Sequence, residues 1–466
     1  MEHFDVIVIG SGPGGERAAA TSAFLGRRAA IVEKGLVLGG VSTNTGTIPS
    51  KTLRETALAF SGLRARRLYG VDLSLRRACT IADLMHHEQQ VKESEQARVA
   101  SNLAARGATL FHGKASFVDP HTIRITAEDR PETLISGDSI IIATGSSPFH
   151  PPEFPFEHEL VHDSDEILTL QCLPKSLGVV GAGVIGAEYA CIFAALGVEV
   201  HILDGRDALL PFLDQECSKT LEAAMVSMGV KFHWNERVDK CVTGTPGEVT
   251  LVCSSGQSLV VDGVLIAAGR TSNTEDLNLP AAGITPGKRG LLTVDATFRT
   301  SVPHIFAVGD VIGFPALAAT SAEQGRTAAF HAAGREPYAA AASVLPTGIY
   351  TIPEVSMVGE TEESLKAKGV DYIVGHAYAR NSARGKMMGD TDGFLKLLFR
   401  REDMKLIGAH ALGESACETI HVALIVMVAE QGAQLLFETC FNYPTLGELY
   451  KTATLAALVE KFPTGQ

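Results

Sequence analysis

Residues 4–9 are apolar but for Asp5, a run short enough and rich enough in β-branched residues to read as a buried strand. Glycines follow at 10, 12 and 15, then an alanine-rich stretch over 17–25 that suits a helix. A second apolar run over 29–32 is ended by Glu33. This pattern predicts a strand–turn–helix–strand unit of the parallel α/β kind. It then returns: residues 177–180 are apolar, glycines stand at 181, 183 and 186, residues 187–196 are alanine-rich, and an apolar run over 198–203 is ended by Asp204. An internal duplication of this kind predicts two similar nucleotide folds in one chain.

Between the two copies, residues 51–106 are polar and helix-favouring. Asp119-Pro120 marks a turn, and residues 139–143 form a strand that runs into Thr144-Gly145. The proline-rich stretch 150–155 reads as a linker. The second copy closes with 263–269 and Arg270, and a third strand-to-loop signal is Ile305 to Asp310. Beyond Pro346 the character changes to alternating runs at 394–399 and 405–410 and a long apolar helix over 417–431, which predicts a separate α+β domain. The fold class expected is α/β: two Rossmann-like dinucleotide-binding domains plus a C-terminal α+β domain.

Length and composition change this picture little. A chain of 466 residues is too long for one core, and 45% apolar with 20% charged residues is ordinary for a soluble enzyme. The net charge of −13 argues against nucleic acid, which needs a basic face. No stretch has the length and apolarity of a membrane span, and the opening strand leaves no room for a targeting segment, so a cytoplasmic protein is expected. Eight cysteines (79, 172, 191, 217, 241, 253, 417 and 440) show no CxxC spacing and read as core filler. The histidine sets 86/87, 158/162 and 410/421 lack a second ligand pair, so no metal site is expected.

The chemistry lies in the two glycine fingerprints. In the first, Gly10 makes the tight turn, Gly12 lets the backbone approach a pyrophosphate, Gly15 allows close helix–strand packing, and Glu33 can hold ribose hydroxyls. In the second, Gly181, Gly183 and Gly186 take the same roles, with Glu188 just after and Asp204 at the strand end. An acid at 204 favours a free 2′-hydroxyl and hence NAD. Arg206, two residues on, is suited to a 2′-phosphate and hence NADP, or else is a solvated surface charge, so NAD and NADP both stay open.

The order GxGxxG, Gly39-Gly40, Ile48-Pro49-Ser50-Lys51, Ala143-Thr144-Gly145, GxGxxGxE, Gly269-Arg270 and Ala307-Val308-Gly309-Asp310 resembles the FAD-dependent pyridine nucleotide-disulfide oxidoreductases over nearly the whole chain. The resemblance implies an FAD-binding domain over 1–148 and 271–340, an NAD(P)-binding domain over 149–270 and a dimerisation domain over 341–466. It implies FAD at Gly10, Gly12, Pro13, Gly14, Gly15, Glu33, Lys34, Gly40, Val41, Ser42, Gly46, Thr47, Gly113, Ala115, Ala143, Thr144, Gly145, Gly309, Asp310, Leu317 and Ala318. It implies NAD and/or NADP at Gly181, Gly183, Ile185, Gly186, Glu188, Asp204, Arg206, Gly269, Arg270 and Tyr350. Asp310 would bind the ribitol, the helix from about Ala318 to Phe330 would turn its positive end to the flavin, and Lys51 and Glu188 would pair beside the hydride-accepting nitrogen as the catalytic residues. A homodimer or larger homo-oligomer is implied as well.

The chain departs from the family where its redox disulfide belongs. In Gly39-Gly40-Val41-Ser42-Thr43-Asn44-Thr45-Gly46-Thr47-Ile48-Pro49, both cysteine positions are hydroxyl residues, Ser42 and Thr47, which cannot cycle between disulfide and dithiol. The family's His-Pro base is Tyr443-Pro444 here, with Glu448 kept, and a tyrosine is a poor base at neutral pH. Together with residues 47–51, 346–354 and 441–445, these features are similar to one branch of the family, the soluble pyridine nucleotide transhydrogenases. Hydride transfer between nicotinamide nucleotides, by a ping-pong flavin mechanism without a disulfide, is the expected activity. An NAD(P)H dehydrogenase feeding a quinone or oxygen, and a flavin-bound redox sensor without turnover, are the alternatives.

Overall fold

The run Glu2–Ile9 forms the middle of a sheet because both of its faces are apolar. Val6 and Val8 point into one cluster with Ile31, Ile141, Phe306, Ala18, Ala19, Ala328 and Ala329. Ile7 and Ile9 point into another with Ala30, Val32, Ile140, Phe117, Ile123 and Ile125. In this computed structural model Glu2–Ile9 pairs in parallel with Ala29–Glu33 on one side and Arg130–Ile142 on the other, and Thr109–His112 extends the sheet beyond Ala29–Glu33. The long strand Arg130–Ile142 carries two partners on its far side: Thr122–Ala127 antiparallel along its first half and Ile305–Ala307 parallel along its end, Ile140 to Ile142. Helices Pro13–Phe24 and Ala318–Ala332 lie together so closely that a Cβ on Gly325 would sit 2.1 Å from the Gly14 carbonyl oxygen. The structure describes all residues except 67, 69–79, 129, 245, 338–343 and 464–466, so Cys79 and the expected boundary at 340/341 lie outside the described residues.

Contacts gather the chain into two units. The first is Met1–Thr52, Met85–Phe149 and Gly269–Ser343; the second is Leu53–Leu84, His150–Ala268 and Val344–Gln466. The second unit holds a parallel sheet in the order Lys231–Trp234, Glu199–Asp204, Ser176–Val180, Gly263–Ile266, Val161–His162, with a meander Val238–Thr243, Val249–Cys253, Ser258–Val261 beside it. It also holds an antiparallel sheet in the order Thr347–Ile349, Glu354–Gly359, Leu406–Gly413, Phe394–Arg400, Tyr372–Tyr378. The fold is therefore α/β, with two Rossmann-like sheets and a C-terminal α+β portion. No helix among the described residues is long and apolar enough to cross a membrane.

The apolar stretch 417–431 is not one helix. It breaks into Ala416–Thr419 and His421–Val428. The buried Tyr450 hydroxyl inserts at the break, donating to the Thr419 carbonyl at 2.9 Å and accepting from the Ala423 amide at 3.2 Å. Those two groups would otherwise bond each other, and a side chain entering that ladder bends a helix.

One ion network ties the parallel-sheet part of the second unit to its antiparallel part. The Lys396 ammonium, 2% exposed, meets Asp214 at 2.8 Å, Glu216 at 3.1 Å and Glu362 at 2.5 Å. Asp214 is fully buried and also caps the helix Gln215–Ser227 through the Glu216 amide. Burial works to raise the Glu362 carboxyl, but hydrogen bonds from Lys396 and Tyr372 outweigh it and hold it at about 2. A depressed carboxyl contributes stability that is present above its unfolded value near ~4.3 and lost as pH falls through the folded value. Lys396→Met leaves Asp214 buried without its cation, a loss of about 3–5 kcal/mol at neutral pH. Urea unfolding should show that gap at pH 7 and show it closing as pH falls through the window from about 4 to about 2. Equal midpoints at pH 7 would show that the network adds nothing.

Candidate functional site

In the first unit the strand Glu2–Ile9 ends at Gly10, whose φ of 103° is open to glycine and strained for other residues. A Cβ there would also lie 2.4 Å from the Ala143 carbonyl oxygen. A Cβ on Gly15 would lie 1.8 Å from the Gly10 carbonyl oxygen, so the helix Pro13–Phe24 can start this close to the strand only with glycine at 15. Gly12 is different: the one heavy atom near its Cβ position is the Gly40 Cα at 4.0 Å, so space is left over the helix start. Pro13 opens that helix, Gly12 gives it no side-chain cap, and its first amides are therefore available to an anion. Glu33 is buried. It accepts from the Ser11 amide at 2.9 Å, the Ser11 hydroxyl at 2.7 Å and the Gly35 amide at 2.8 Å. Ser11, which sequence reasoning passed over, thus fixes the acid against the turn.

The remaining positions of the first unit surround this turn or support it. Gly40 stands opposite Gly12, where a Cβ would come within 2.8 Å of the Gly12 Cα. Gly113 has φ 151° and donates to the Glu33 carbonyl, while the Ala115 side chain is in the core, which leaves only its backbone to a ligand. Lys34 is exposed; Val41, Ser42, Gly46, Thr47 and Ala318 are half-buried. The Thr144 hydroxyl, between Ala143 and Gly145, is buried and has no partner among the described residues. Asp310, next to Gly309, accepts from the Ser146 hydroxyl at 2.7 Å, and that oxygen accepts from Arg270 Nε at 2.7 Å. Arg270, which follows Gly269, therefore acts within the first unit through Ser146 to place the Asp310 carboxylate. The helix Ala318–Ala332 begins after Leu317 without a side-chain cap. A glycine turn with open space above it, uncapped helix amides, an orphaned buried hydroxyl and a fixed carboxylate fit a dinucleotide such as FAD.

Neither the Ser42 nor the Thr47 hydroxyl makes a hydrogen bond among the described residues; the Thr47 carbonyl accepts from the Ser50 hydroxyl at 3.4 Å. Ser42 lies in the short helix Gly40–Asn44 and Thr47 opens the helix Thr47–Ser61, where Lys51 donates to the Ser50 hydroxyl at 3.3 Å. The buried thiols among the described residues are no substitute. Burial pushes Cys191 and Cys417 up to about 12 and Cys241 up to about 11, so they stay protonated at neutral pH. Tyr443 is exposed, and Glu448 is the first residue of the last helix.

The second unit repeats the turn. Gly181 has φ 108° and a Cβ would meet the Ala267 carbonyl oxygen at 2.5 Å; a Cβ on Gly186 would meet the Gly181 carbonyl oxygen at 1.9 Å; Gly183 faces open space. The helix Val184–Ala195, with Ile185 in its first turn, has no side-chain cap. Asp204 accepts from the Ala182 amide at 2.7 Å, as Glu33 does from Ser11. Arg206 is not a loose surface charge. Its Nε and terminal nitrogen bond the two Asp204 oxygens at 2.9 and 2.6 Å. Burial works to raise the Asp204 carboxyl, but Arg206 and the amides of Ala182 and Arg206 leave it below its ordinary value. Glu188, 4% exposed, accepts from the Tyr350 amide at 2.9 Å, which sets its carboxylate in place. Lys51 belongs to the first unit and Glu188 to the second. The carboxylates Asp214, Glu216 and Glu362 converge, but the cation they enclose is the Lys396 ammonium.

The chain matches the family model of the pyridine nucleotide-disulphide oxidoreductases over residues 4–325 and the model of their dimerisation domain over 345–454. It is 47% identical over 456 residues to a protein of Mycobacterium bovis (strain BCG / Pasteur 1173P2) named soluble pyridine nucleotide transhydrogenase, covering 98% of this chain and 97% of that one. A protein of the same name from Photobacterium profundum is 40% identical over 464 residues, covering 99% and 98%. Among solved structures, LpdA of Mycobacterium tuberculosis superposes with a TM-score of 0.89 at 27% identity, covering 98% of this chain and 99% of that one. The HOCl-induced flavoprotein disulfide reductase RclA of Escherichia coli, as its Cu(II) complex, superposes with a TM-score of 0.88 at 28% identity, covering 98% and 99%.

The two turns can be tested apart. Gly15→Ala forces the helix off the Gly10 carbonyl and should yield protein depleted of flavin, read from the visible absorbance per chain. Gly186→Ala should keep its flavin and lose affinity for nicotinamide nucleotides. Full flavin content in the first variant, or wild-type nucleotide affinity in the second, would contradict these roles.

Proposed function

The chain belongs to the pyridine nucleotide-disulphide oxidoreductases, FAD-dependent enzymes that use a nicotinamide nucleotide, and from that premise we propose that it transfers hydride between NADPH/NADP and NAD/NADH without a redox disulfide. The observation that carries this reading is the pair Ser42 and Thr47 where the family's redox cysteines belong. Bound FAD would supply the chemistry, as a two-electron carrier that takes hydride from one nicotinamide and yields it to the next in ping-pong order.

The chain's own residues bind and position. In the second unit, the amides after Gly183 would receive the pyrophosphate and Asp204 the ribose. Glu188, fixed by the Tyr350 amide, would orient the nicotinamide end. In the first unit, Ser146 and Arg270 hold Asp310, and Ser11 holds Glu33, so that FAD would meet carboxylates already in place. Lys51 and Glu188 are the residues on which hydride transfer would depend. No proton need be moved by a base, which is consistent with Tyr443 in place of the family's histidine. The exposed Ile425, Val428, Val459 and Phe462 of the C-terminal portion suit a second copy of the chain, so a homodimer is part of the proposal.

The test is anaerobic. NADPH should bleach the flavin of the purified protein, and an NAD analogue with a shifted spectrum should restore it while being reduced, with no loss after treatment with a thiol-alkylating reagent. Bleaching that is relieved only by a quinone or oxygen would replace this reading with a dehydrogenase, and no bleaching with either nucleotide would leave a flavin-bound sensor. Lys51→Ala and Glu188→Gln should retain flavin and slow the transfer by on the order of 100-fold. Unaltered rates would remove both residues from the mechanism.

A further inference from the structure

A chain that exchanges hydride between NADP(H) and NAD(H) must admit at one ribose site both a 2′-hydroxyl and a 2′-phosphate. We infer that Arg237, a residue far in sequence from the second fingerprint, is the group that admits the phosphate; the inference rests on the transhydrogenase reading and assigns its dual specificity.

Asp204 alone would repel a 2′-phosphate, and Arg206 does not fully solve the problem. Its Nε and one of its two terminal nitrogens are committed to Asp204, and the carboxylate is only 8% exposed. A phosphate that drew Arg206 away would leave a buried carboxylate without its cation. A second cation is at hand. The Arg237 side chain lies over Gly205, the residue between Asp204 and Arg206: a Cβ built on Gly205 would come within 2.9 Å of both Arg237 Cγ and Nε. Its place is fixed through the backbone. The Asn235 amide donates to the Arg206 carbonyl at 3.0 Å, the Glu236 amide to the Asp204 carbonyl at 3.0 Å, and the Ser254 amide to the Arg237 carbonyl at 2.8 Å.

Arg237 is exposed, and no carboxylate forms an ion pair with its guanidinium among the described residues. The adjacent Glu236 carboxylate accepts from Ser254 and Ser255 instead. Gly205 itself has no positive φ, so its backbone does not call for glycine. What calls for it is the room taken by Arg237. The ribose end of the site therefore offers two sets of partners side by side: the Asp204 carboxylate for a pair of hydroxyls, and the unpaired Arg237, next to Arg206, for a doubly charged phosphate.

The experiment measures binding to the flavin-loaded protein by calorimetry with 2′,5′-ADP and 5′-AMP, which carry the ribose end of NADP and NAD without the nicotinamide. Arg237→Met keeps the apolar stem over Gly205 and removes the charge. It should weaken 2′,5′-ADP by roughly 10- to 100-fold, one charge-assisted hydrogen-bonding group, and leave 5′-AMP unchanged. Gly205→Ala, which pushes the Arg237 side chain aside, should act in the same direction with wild-type charge. Unchanged 2′,5′-ADP affinity in Arg237→Met, or an equal loss for both ligands, would overturn the assignment while leaving the transhydrogenase reading intact. Wild-type protein that binds only one of the two ligands would overturn that reading, and the assignment with it.

Discussion

The closest approaches on which this chain depends are between backbone atoms. At Gly15 and Gly186 the first turn of a helix passes a strand-end carbonyl so tightly that a methyl group would stand 1.8 or 1.9 Å from its oxygen. That contact brings each helix start, with amides that have no side-chain cap, up against the end of its parallel sheet. The acid at the end of the next strand is then within hydrogen-bonding reach of the residue after the first glycine, Ser11 for Glu33 and Ala182 for Asp204. Both candidate nucleotide sites follow from the same short distance, and both would be lost if it relaxed.

This constraint also explains what could be read from the chain alone. A turn that excludes every side chain writes itself as glycine at fixed spacing, and a strand buried on both faces writes itself as an unbroken apolar run. The partners that hold the site side chains leave no such trace. Ser146 reaches Asp310 across 164 positions and looks like any loop serine. Lys396 reads as an interruption in an alternating strand, although it is the cation at which three carboxylates meet. The apolar stretch 417–431 reads as one helix because nothing local interrupts it. The interruption is the hydroxyl of Tyr450, supplied by a different helix. Arg206 shows the same limit in a milder form, since its spacing from Asp204 left a 2′-phosphate and plain solvation both open and gave no sign of the paired bonds it makes to the acid.

Substitution at Ser42 and Thr47 has a counterpart in the fate of the remaining sulfur. Cys191 and Cys417 are deep in the second unit with thiols pushed up to about 12 by burial, where a thiolate has no access to neutral pH. They behave as small apolar residues. In a fold family named for a disulfide, the described thiols that are buried thus serve packing, while Glu33, Asp204 and Asp310 stay fixed beside the glycine turns as carboxylates that would meet a nucleotide. What is retained is a pair of glycine turns suited to dinucleotides, and what is replaced, at Ser42 and Thr47, is the pair that would carry electrons onward to a thiol.

A net charge of −13 is compatible with ligands as anionic as dinucleotides because the attraction is local. Helix amides without caps supply partial positive charge where a pyrophosphate would lie, within the first turn and little farther. The long-range field of the chain is screened over about 10 Å at moderate salt. What then distinguishes one dinucleotide from another is a matter of single side chains at the ribose end. In the first unit Glu33 is satisfied by hydroxyl and amide donors and no arginine among the described residues joins it, an arrangement that favours ribose hydroxyls. In the second, Asp204 is met by an arginine and flanked by another. The duplicated turn is common to both units, and their chemical difference is concentrated in the cations set beside the second acid.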